Sequence, residues 1–160
     1  MSIYVNDKYR IRRSASQQEG MSMLTKIKVF ENYRDILMAS AIIGYNNGQY
    51  IEIDDAASDG VLMQFFTPID KDMMDLIAYA HSKNQAILYT DEKYKIFEAY
   101  ANGGFPILFN IMAIENTNLS EGQIEDYANK YYVNIIAGKF NEHSINEFES
   151  IVEETEEETY

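Results

Sequence analysis

Two acids and a lysine form the first arrangement in this sequence that could do chemistry. Asp70 is followed 21 residues later by Asp91-x-Lys93. Two carboxylates and a lysine around a divalent ion can activate water against a phosphodiester. Such residues normally lie on adjacent strands, whereas here the pattern around them is helical. Asp70 follows Pro68 as a helix cap would, and Asp91 falls in the first turn of a helix that Thr90 would cap. Helix capping therefore accounts for both acids better than catalysis does.

The loop Asp54-Asp55-Ala56-Ala57-Ser58-Asp59-Gly60 invites a calcium reading. Placing Asp55, Asp59 and Gly60 on the first, fifth and sixth positions of a calcium loop puts Ala57 and Phe66 where ligands are needed. An ordinary polar turn fits better. Only two histidines exist, His81 and His143, and there is no cysteine. A thiolate nucleophile, a disulfide framework and a Cys-ligated zinc site are thereby excluded. His81 falls near a helix C-terminus, where the helix dipole favours its charged form. Gly103-Gly104 has no following Lys-Ser/Thr, so it is no phosphate loop. No catalytic constellation is complete. The expectation is a protein that is not an enzyme, with no cofactor and no metal site.

Arg10-Ile11-Arg12-Arg13-Ser14 is the sharpest binding feature. In an extended chain Arg10 and Arg12 point one way and Ile11 the other. Ile11 would anchor the arm while the guanidiniums meet a phosphate or a carboxylate. Lys26, Lys28 and Arg34 are candidates to extend the patch. The 34 N-terminal residues hold seven basic groups against three acids, yet the whole chain carries −13. The last 20 residues alone hold eight glutamates and no base. A net negative protein opposes general DNA binding, because phosphate contacts dominate DNA affinity. A local contact by a basic arm stays open.

These residues must be positioned by helices. The chain has 160 residues, 46% of them hydrophobic, which suits one domain. Tyr33, Ile36, Leu37, Ser40, Ala41 and Gly44 give the clearest helical stripe, over 31–44, and Asn46-Asn47-Gly48 supplies the stop. Ile36, Leu37 and Ala41 are expected inside, with Arg34 at the surface. The small residues at 40, 41 and 44 allow another helix to come close. A weaker helix is expected over 15–27. Another is expected after Pro68, capped by Asp70 and running over 70–82, with Met73, Met74, Ile77 and Ala80 or His81 as its buried stripe. Residues 50–53 and 61–66 read as two strands of a hairpin. A helix bearing Tyr94, Phe97, Tyr100 and Ala101 is expected to end at Asn102-Gly103-Gly104, with Pro106 opening the next. Ser120-x-x-Gln123 and Ser144-x-x-Glu147 are capping boxes of two further helices, the first bearing Tyr127 and Tyr131.

The fold class expected is mainly α: a compact single-domain helical fold with a small β-hairpin or N-terminal strand element. Residues 1–140 would be the globular part with its basic arm. Residues 141–160 would be a helix and an acidic, fraying tail. Thirteen tyrosines and no tryptophan point mostly to core packing, with some capacity for interfaces. The N-terminus lacks the basic flank and apolar core of a signal peptide, and no apolar run reaches the ~18 residues of a membrane helix. A cytoplasmic location with no membrane contact is expected.

Three stretches together resemble the DNA phosphorothioation (Dnd) system-associated protein 4 family of bacterial defence islands. They are Tyr9-Arg10-Ile11-Arg12-Arg13, the helix from Val29 to Tyr45, and Ile96-Phe97-Glu98-Ala99-Tyr100-Ala101-Asn102-Gly103-Gly104. Tyr33, Asp35, Gly44, Phe97, Glu98, Tyr100, Asn102, Gly103 and Gly104 carry the resemblance as structural motif residues. The resemblance spans roughly residues 8–114, and the chain departs from the family pattern in its glutamate-rich end. It implies a small accessory protein encoded with phage-defence genes. It supplies no catalytic residue. The leading expectation is a non-enzymatic adaptor that contacts a larger defence-system protein, an ATPase, helicase or nuclease. The alternative is a nucleic-acid-binding regulator or sensor that uses the Arg10–Arg13 arm. A more distant reading makes the acidic tail a DNA mimic.

Overall fold

The computed structural model describes residues 4–115. In chain order they form β1 (Arg10–Ile11), α1 (Gln18–Lys26), α2 (Tyr33–Asn46), β2 (Val61–Leu62), α3 (Pro68–Ser82) and α4 (Glu92–Glu115), with 3-10 turns at Ala15–Gln17, Met63–Phe65 and Gln85–Tyr89. The fold is mainly α with one short antiparallel strand pair. Both expected capping boxes beyond residue 115, His143, Tyr127, Tyr131 and the acidic tail lie outside the described residues.

Helix α2 follows its sequence pattern closely. The Asn32 side chain accepts the Asp35 backbone N–H at 3.0 Å and so satisfies one of the free donors of the first turn. Ile36, Leu37, Ser40, Ala41 and Gly44 are buried. The helix stops where Asn47 caps it and Gly48 takes a φ of +66°.

Helix α4 packs across α2 at a contact only glycine permits. A Cβ added to Gly44 would lie 2.0 Å from the Tyr100 carbonyl oxygen, and one added to Gly104 would lie 1.8 Å from that of Ser40. The expected break at Asn102-Gly103-Gly104 does not occur. α4 runs unbroken for 24 residues with Pro106 inside it. The glycines sit there for close approach. Gly103 likewise admits the Gln49 backbone, whose oxygen would lie 2.2 Å from an added Cβ. Pro106 lacks the N–H that would normally bond the carbonyl four residues back. That carbonyl, of Asn102, instead accepts a 2.9 Å hydrogen bond from the Gln17 side chain. A side chain from the first turn of the fold thus stands in for the missing helical donor.

The expected hairpin between 50–53 and 61–66 is also corrected. Residues 50–53 form no strand. Their alternation belongs to an extended segment laid along α4. The Ile51 N–H donates to the Ala99 carbonyl at 3.1 Å, and the Asn102 side chain donates to the Ile51 carbonyl at 2.9 Å. β2 pairs with β1, Arg10 opposite Leu62 and Ile11 opposite Val61. Residues 63–65 turn into a 3-10 helix rather than extending the strand. The N-terminal strand therefore forms, and its partner is the second of the two strands expected for the hairpin, shortened to Val61–Leu62.

α3 ends where expected but starts at Pro68, two residues before the expected start, because its cap is shifted. Thr67 is the N-cap, and Asp70 completes a reciprocal capping box with it, with Pro68 in the first turn. The buried stripe is Met74, Ile77 and Ala78, while Met73 and Ala80 are only half-buried. The Thr90 hydroxyl, expected to cap the next helix, donates back to the Ile87 carbonyl at 3.0 Å.

Candidate functional site

The arm at residues 4–14 is held to the N-terminal half of α4 by charge. Glu98 on α4 is 1% exposed. It accepts the Arg12 main-chain N–H at 2.5 Å, the Arg12 guanidinium at 3.1 and 3.2 Å, and the Tyr9 hydroxyl at 3.0 Å. A buried carboxylate is costly unless its lone pairs are satisfied, and these four bonds satisfy them. The hydrogen bond to Glu98, then its charge, holds the Arg12 guanidinium above its ordinary pKa. Burial first, and then the Glu98 charge, pushes the Tyr9 phenol well above its ordinary value. The Tyr9 ring packs on Tyr94, with ring centroids 4.6 Å apart.

Arg13 is turned away from solvent. Its side chain is 1% exposed. The guanidinium pairs with Asp59 at 2.8 Å, bonds the Gln18 side chain at 2.7 Å and lies over the Tyr33 ring at 4.6 Å. The alternation that turns Ile11 inward turns Arg13 inward too. Arg34 is only half-buried rather than fully at the surface. It reaches Asp35 at 3.1 Å, Asp70 at 3.9 Å and the Phe65 carbonyl at 2.9 Å, clasping the start of α2 to the cap of α3. Arg10, Lys26 and Lys28 are exposed, and the Arg10 guanidinium makes a long 3.4 Å bond to the Gly60 carbonyl. The six basic residues named as contact candidates are therefore divided. Arg13 and Arg34 are spent on the fold, Arg12 is anchored at one end, and three remain outward.

The residues considered for metal chemistry are dispersed. Asp70 serves the α3 cap. Asp91 accepts from the Asn6 side chain at 3.1 Å and from the Tyr4 hydroxyl at 3.3 Å. Lys93 is 1% exposed and pairs with Asp75 at 2.9 Å. The Asp54–Gly60 loop folds onto the arm: the Asp55 carbonyl accepts the Ala15 N–H, and the Ala57 N–H donates to the Arg13 carbonyl. Among the described residues no group of three or more acids or histidines could hold a metal ion.

A second cluster, not anticipated as a site, lies where α2 ends. His81 stacks on Tyr50 at 4.5 Å with the planes 10° apart, and its Nδ1 lies 2.7 Å from the Tyr100 hydroxyl. Tyr45 and Tyr50 both meet the Tyr100 ring edge-on, at 5.4 and 5.0 Å. Burial raises the Tyr50 phenol, helped by Glu52 and Glu92. Burial also raises that of Tyr100, helped by Tyr45 and Tyr50. Ile42 and Tyr45, one turn apart on α2, are each 38% exposed. Tyrosine and histidine of this kind offer a large rigid contact area with polar tips. The sequence signal was the pair of tyrosines on either side of the Asn46-Asn47-Gly48 stop.

A family model described as DNA sulphur modification system-associated protein 4 matches residues 10–152. The chain belongs to this family. Neither a curated protein nor a solved structure matches it. In this member of the sulphur modification system-associated family, the three sequence stretches that carry the likeness meet in space. Tyr9 and Arg12 of the first hold Glu98 of the third. Arg13 of the first lies over Tyr33 of the second. Gly44 of the second crosses Tyr100 and Gly104 of the third. Asn102 bonds Ser14 at 2.6 Å and Ile51 at 2.9 Å. Phe97 is fully buried, and Asp35 takes the Asn32 cap and the Arg34 guanidinium. Among the described residues no helix is long and apolar enough to cross a membrane.

Proposed function

We propose that this chain is a non-enzymatic accessory protein that acts as an adaptor inside a DNA sulphur modification system serving phage defence. Its partner would be a larger ATPase, helicase or nuclease of that system. The observation that carries this reading is the ring cluster of exposed Tyr45 and His81 with half-buried Tyr50, and exposed Ile42 one turn from Tyr45 on α2. It is backed by the glycine-mediated crossing of α2 and α4, so its rings are held on a rigid base. Rigid aromatic side chains around one apolar anchor are the usual centre of a protein–protein contact. The charged motif residues, by contrast, are occupied in joining the arm, α2 and α4. The test is copurification of tagged protein expressed together with its neighbouring genes. A stoichiometric larger partner supports the adaptor, and a tagged chain that emerges alone removes it.

Arg10 favours a second reading as a nucleic-acid-binding regulator. It is exposed on β1 beside the paired Arg12. This reading requires DNA binding that weakens steeply with salt. Absence of binding at low salt to both plain and phosphorothioated DNA would dismiss it.

A further inference from the structure

Two helices end against one ring. Tyr45 is the penultimate residue of α2, and His81 is the penultimate residue of α3. Both rings meet Tyr100, each with its centroid 5.4 Å away. The negative ends of two helix dipoles therefore converge on this cluster, each equivalent to roughly half an elementary charge. The last turn of α2 holds no basic residue, and that of α3 holds only His81. Glu52 adds a full charge. It is exposed, lies two residues beyond Tyr50 and forms no ion pair among the described residues. Burial raises the Tyr50 phenol, and the Glu52 charge adds to the effect, so the carboxylate acts on the cluster itself. Glu92 acts on the same phenol but shares its charge with Lys95 in an exposed pair at 3.1 Å. Lys83 at the α3 C-cap offsets part of the α3 end. With Glu52 and two helix ends set against that one lysine, the balance is negative.

We propose that this cluster takes an arginine side chain of the partner protein, an inference that rests on the adaptor reading and names the chemistry of its contact. A guanidinium suits all the features present. It bonds a carboxylate through two parallel N–H groups, donates to the carbonyls at a helix end and lies flat on an aromatic face. Lysine brings a point charge without the plane. The chain already uses this combination internally: the Arg13 guanidinium lies over Tyr33 while it pairs with Asp59. Ile42, one turn before Tyr45 and exposed, gives the methylene stem of the incoming side chain an apolar neighbour. An anionic partner is repelled by the same field, which sets this contact apart from DNA binding by the arm.

The test is an amide-resolved NMR titration of the isotope-labelled full chain with the peptide acetyl-Leu-Arg-Arg-Leu-amide at about 0.15 M salt. Shifts concentrate at Tyr45, Tyr50, Glu52 and His81, with a dissociation constant of about 1 mM. The same peptide with citrulline in place of arginine keeps the shape and loses the charge, and it binds about tenfold more weakly. Glu52→Gln and Tyr45→Leu each weaken the arginine peptide about threefold. Both changes are at exposed side chains, and unchanged amide spectra elsewhere show that the fold is kept. Equal affinity for the citrulline peptide overturns the proposal. So does binding confined to the glutamates of residues 141–160, or no saturable shift at the cluster. A larger partner that copurifies while the cluster ignores arginine overturns this inference and leaves the adaptor standing. An arginine response in a chain that copurifies with nothing supports the site and removes the adaptor.

Discussion

Glu98 accepts hydrogen bonds from both the main-chain N–H and the guanidinium of Arg12, so one buried carboxylate fixes both the path and the side chain of the N-terminal arm. Replacing Glu98 with Ala leaves the Arg12 N–H and the Tyr9 hydroxyl without their acceptor. The Arg12 side chain is 46% exposed and can be rehydrated, which moderates the loss. A cost of about 1–3 kcal/mol in denaturant unfolding is expected. A neutral change would mean the arm is not held through this residue.

Tyr9 gives the same contact a pH signature. Its phenol titrates higher in the folded protein than in the unfolded chain, where the ordinary value is 10.0. A group whose pKa is raised by folding stabilises fully below its unfolded pKa and loses that contribution as pH rises. Stability should therefore decline above about pH 10, and Tyr9→Phe should make the decline shallower. Thermal melts from pH 8 to 11 would show it. Equal slopes for both proteins would place Tyr9 outside the linkage.

The α2–α4 crossing predicts an order among small-residue substitutions. Gly104→Ala drives a methyl into the Ser40 carbonyl and should cost at least ~3 kcal/mol or prevent folding. Ala41→Leu overpacks the same face by ~1–3 kcal/mol. Gly48→Ala meets no atom within 4 Å and carries only the strain of φ +66°, about 1 kcal/mol. Chemical denaturation of the three variants checks the order, and a harmless Gly104→Ala would show that the helices do not touch there.

Gln17 and Pro106 should be energetically coupled. Gln17→Leu removes the donor that serves the Asn102 carbonyl and should destabilise by about 1–2 kcal/mol. In a Pro106→Ala background the helix regains its own donor, so the same change should cost clearly less. A double-mutant cycle measures this. Strict additivity would mean the Gln17 bond does not replace the helical one.

Arg13 and Arg10 should separate stability from binding. Arg13→Ala strips a buried guanidinium from Asp59, Gln18 and Tyr33 and should lower stability by about 1–3 kcal/mol. Arg10→Ala should change stability by no more than ~0.5 kcal/mol. If DNA is bound through the arm, Arg10→Ala lowers the salt slope by about one unit. The reverse pattern, with Arg10 structural and Arg13 dispensable, would invert the assignment of the arm.

Local physics made part of this legible in the sequence. The stripe from Tyr33 to Gly44, its cap and its Gly48 stop all act within a few residues, and α2 forms as the pattern indicates. Asn102-Gly103-Gly104 misled because the intrinsic tendency of glycine to end helices is local, while its use here is a contact with α2 some sixty residues earlier. Residues 50–53 alternate because the segment is extended, and alternation does not say whether the neighbour is a strand or a helix. Arg13 shows that the period-two rule that buried Ile11 outweighs charge when Asp59 and Gln18 are at hand. The platform at Tyr45, Tyr50 and His81 draws on three separate segments, and no local pattern announces such a meeting.

The charged motif residues build the fold, and in the proposed adaptor role the aromatic cluster at Tyr45, Tyr50 and His81 meets another protein of the sulphur modification system. Copurification of tagged wild-type and Ile42→Glu/Tyr45→Ala protein, each expressed with its neighbouring genes, tests it most directly. A larger partner should accompany the wild type and be lost from the variant, with the variant's melting temperature within a few degrees of the wild type. A partner that stays with the variant, or a wild type that emerges alone, would contradict it.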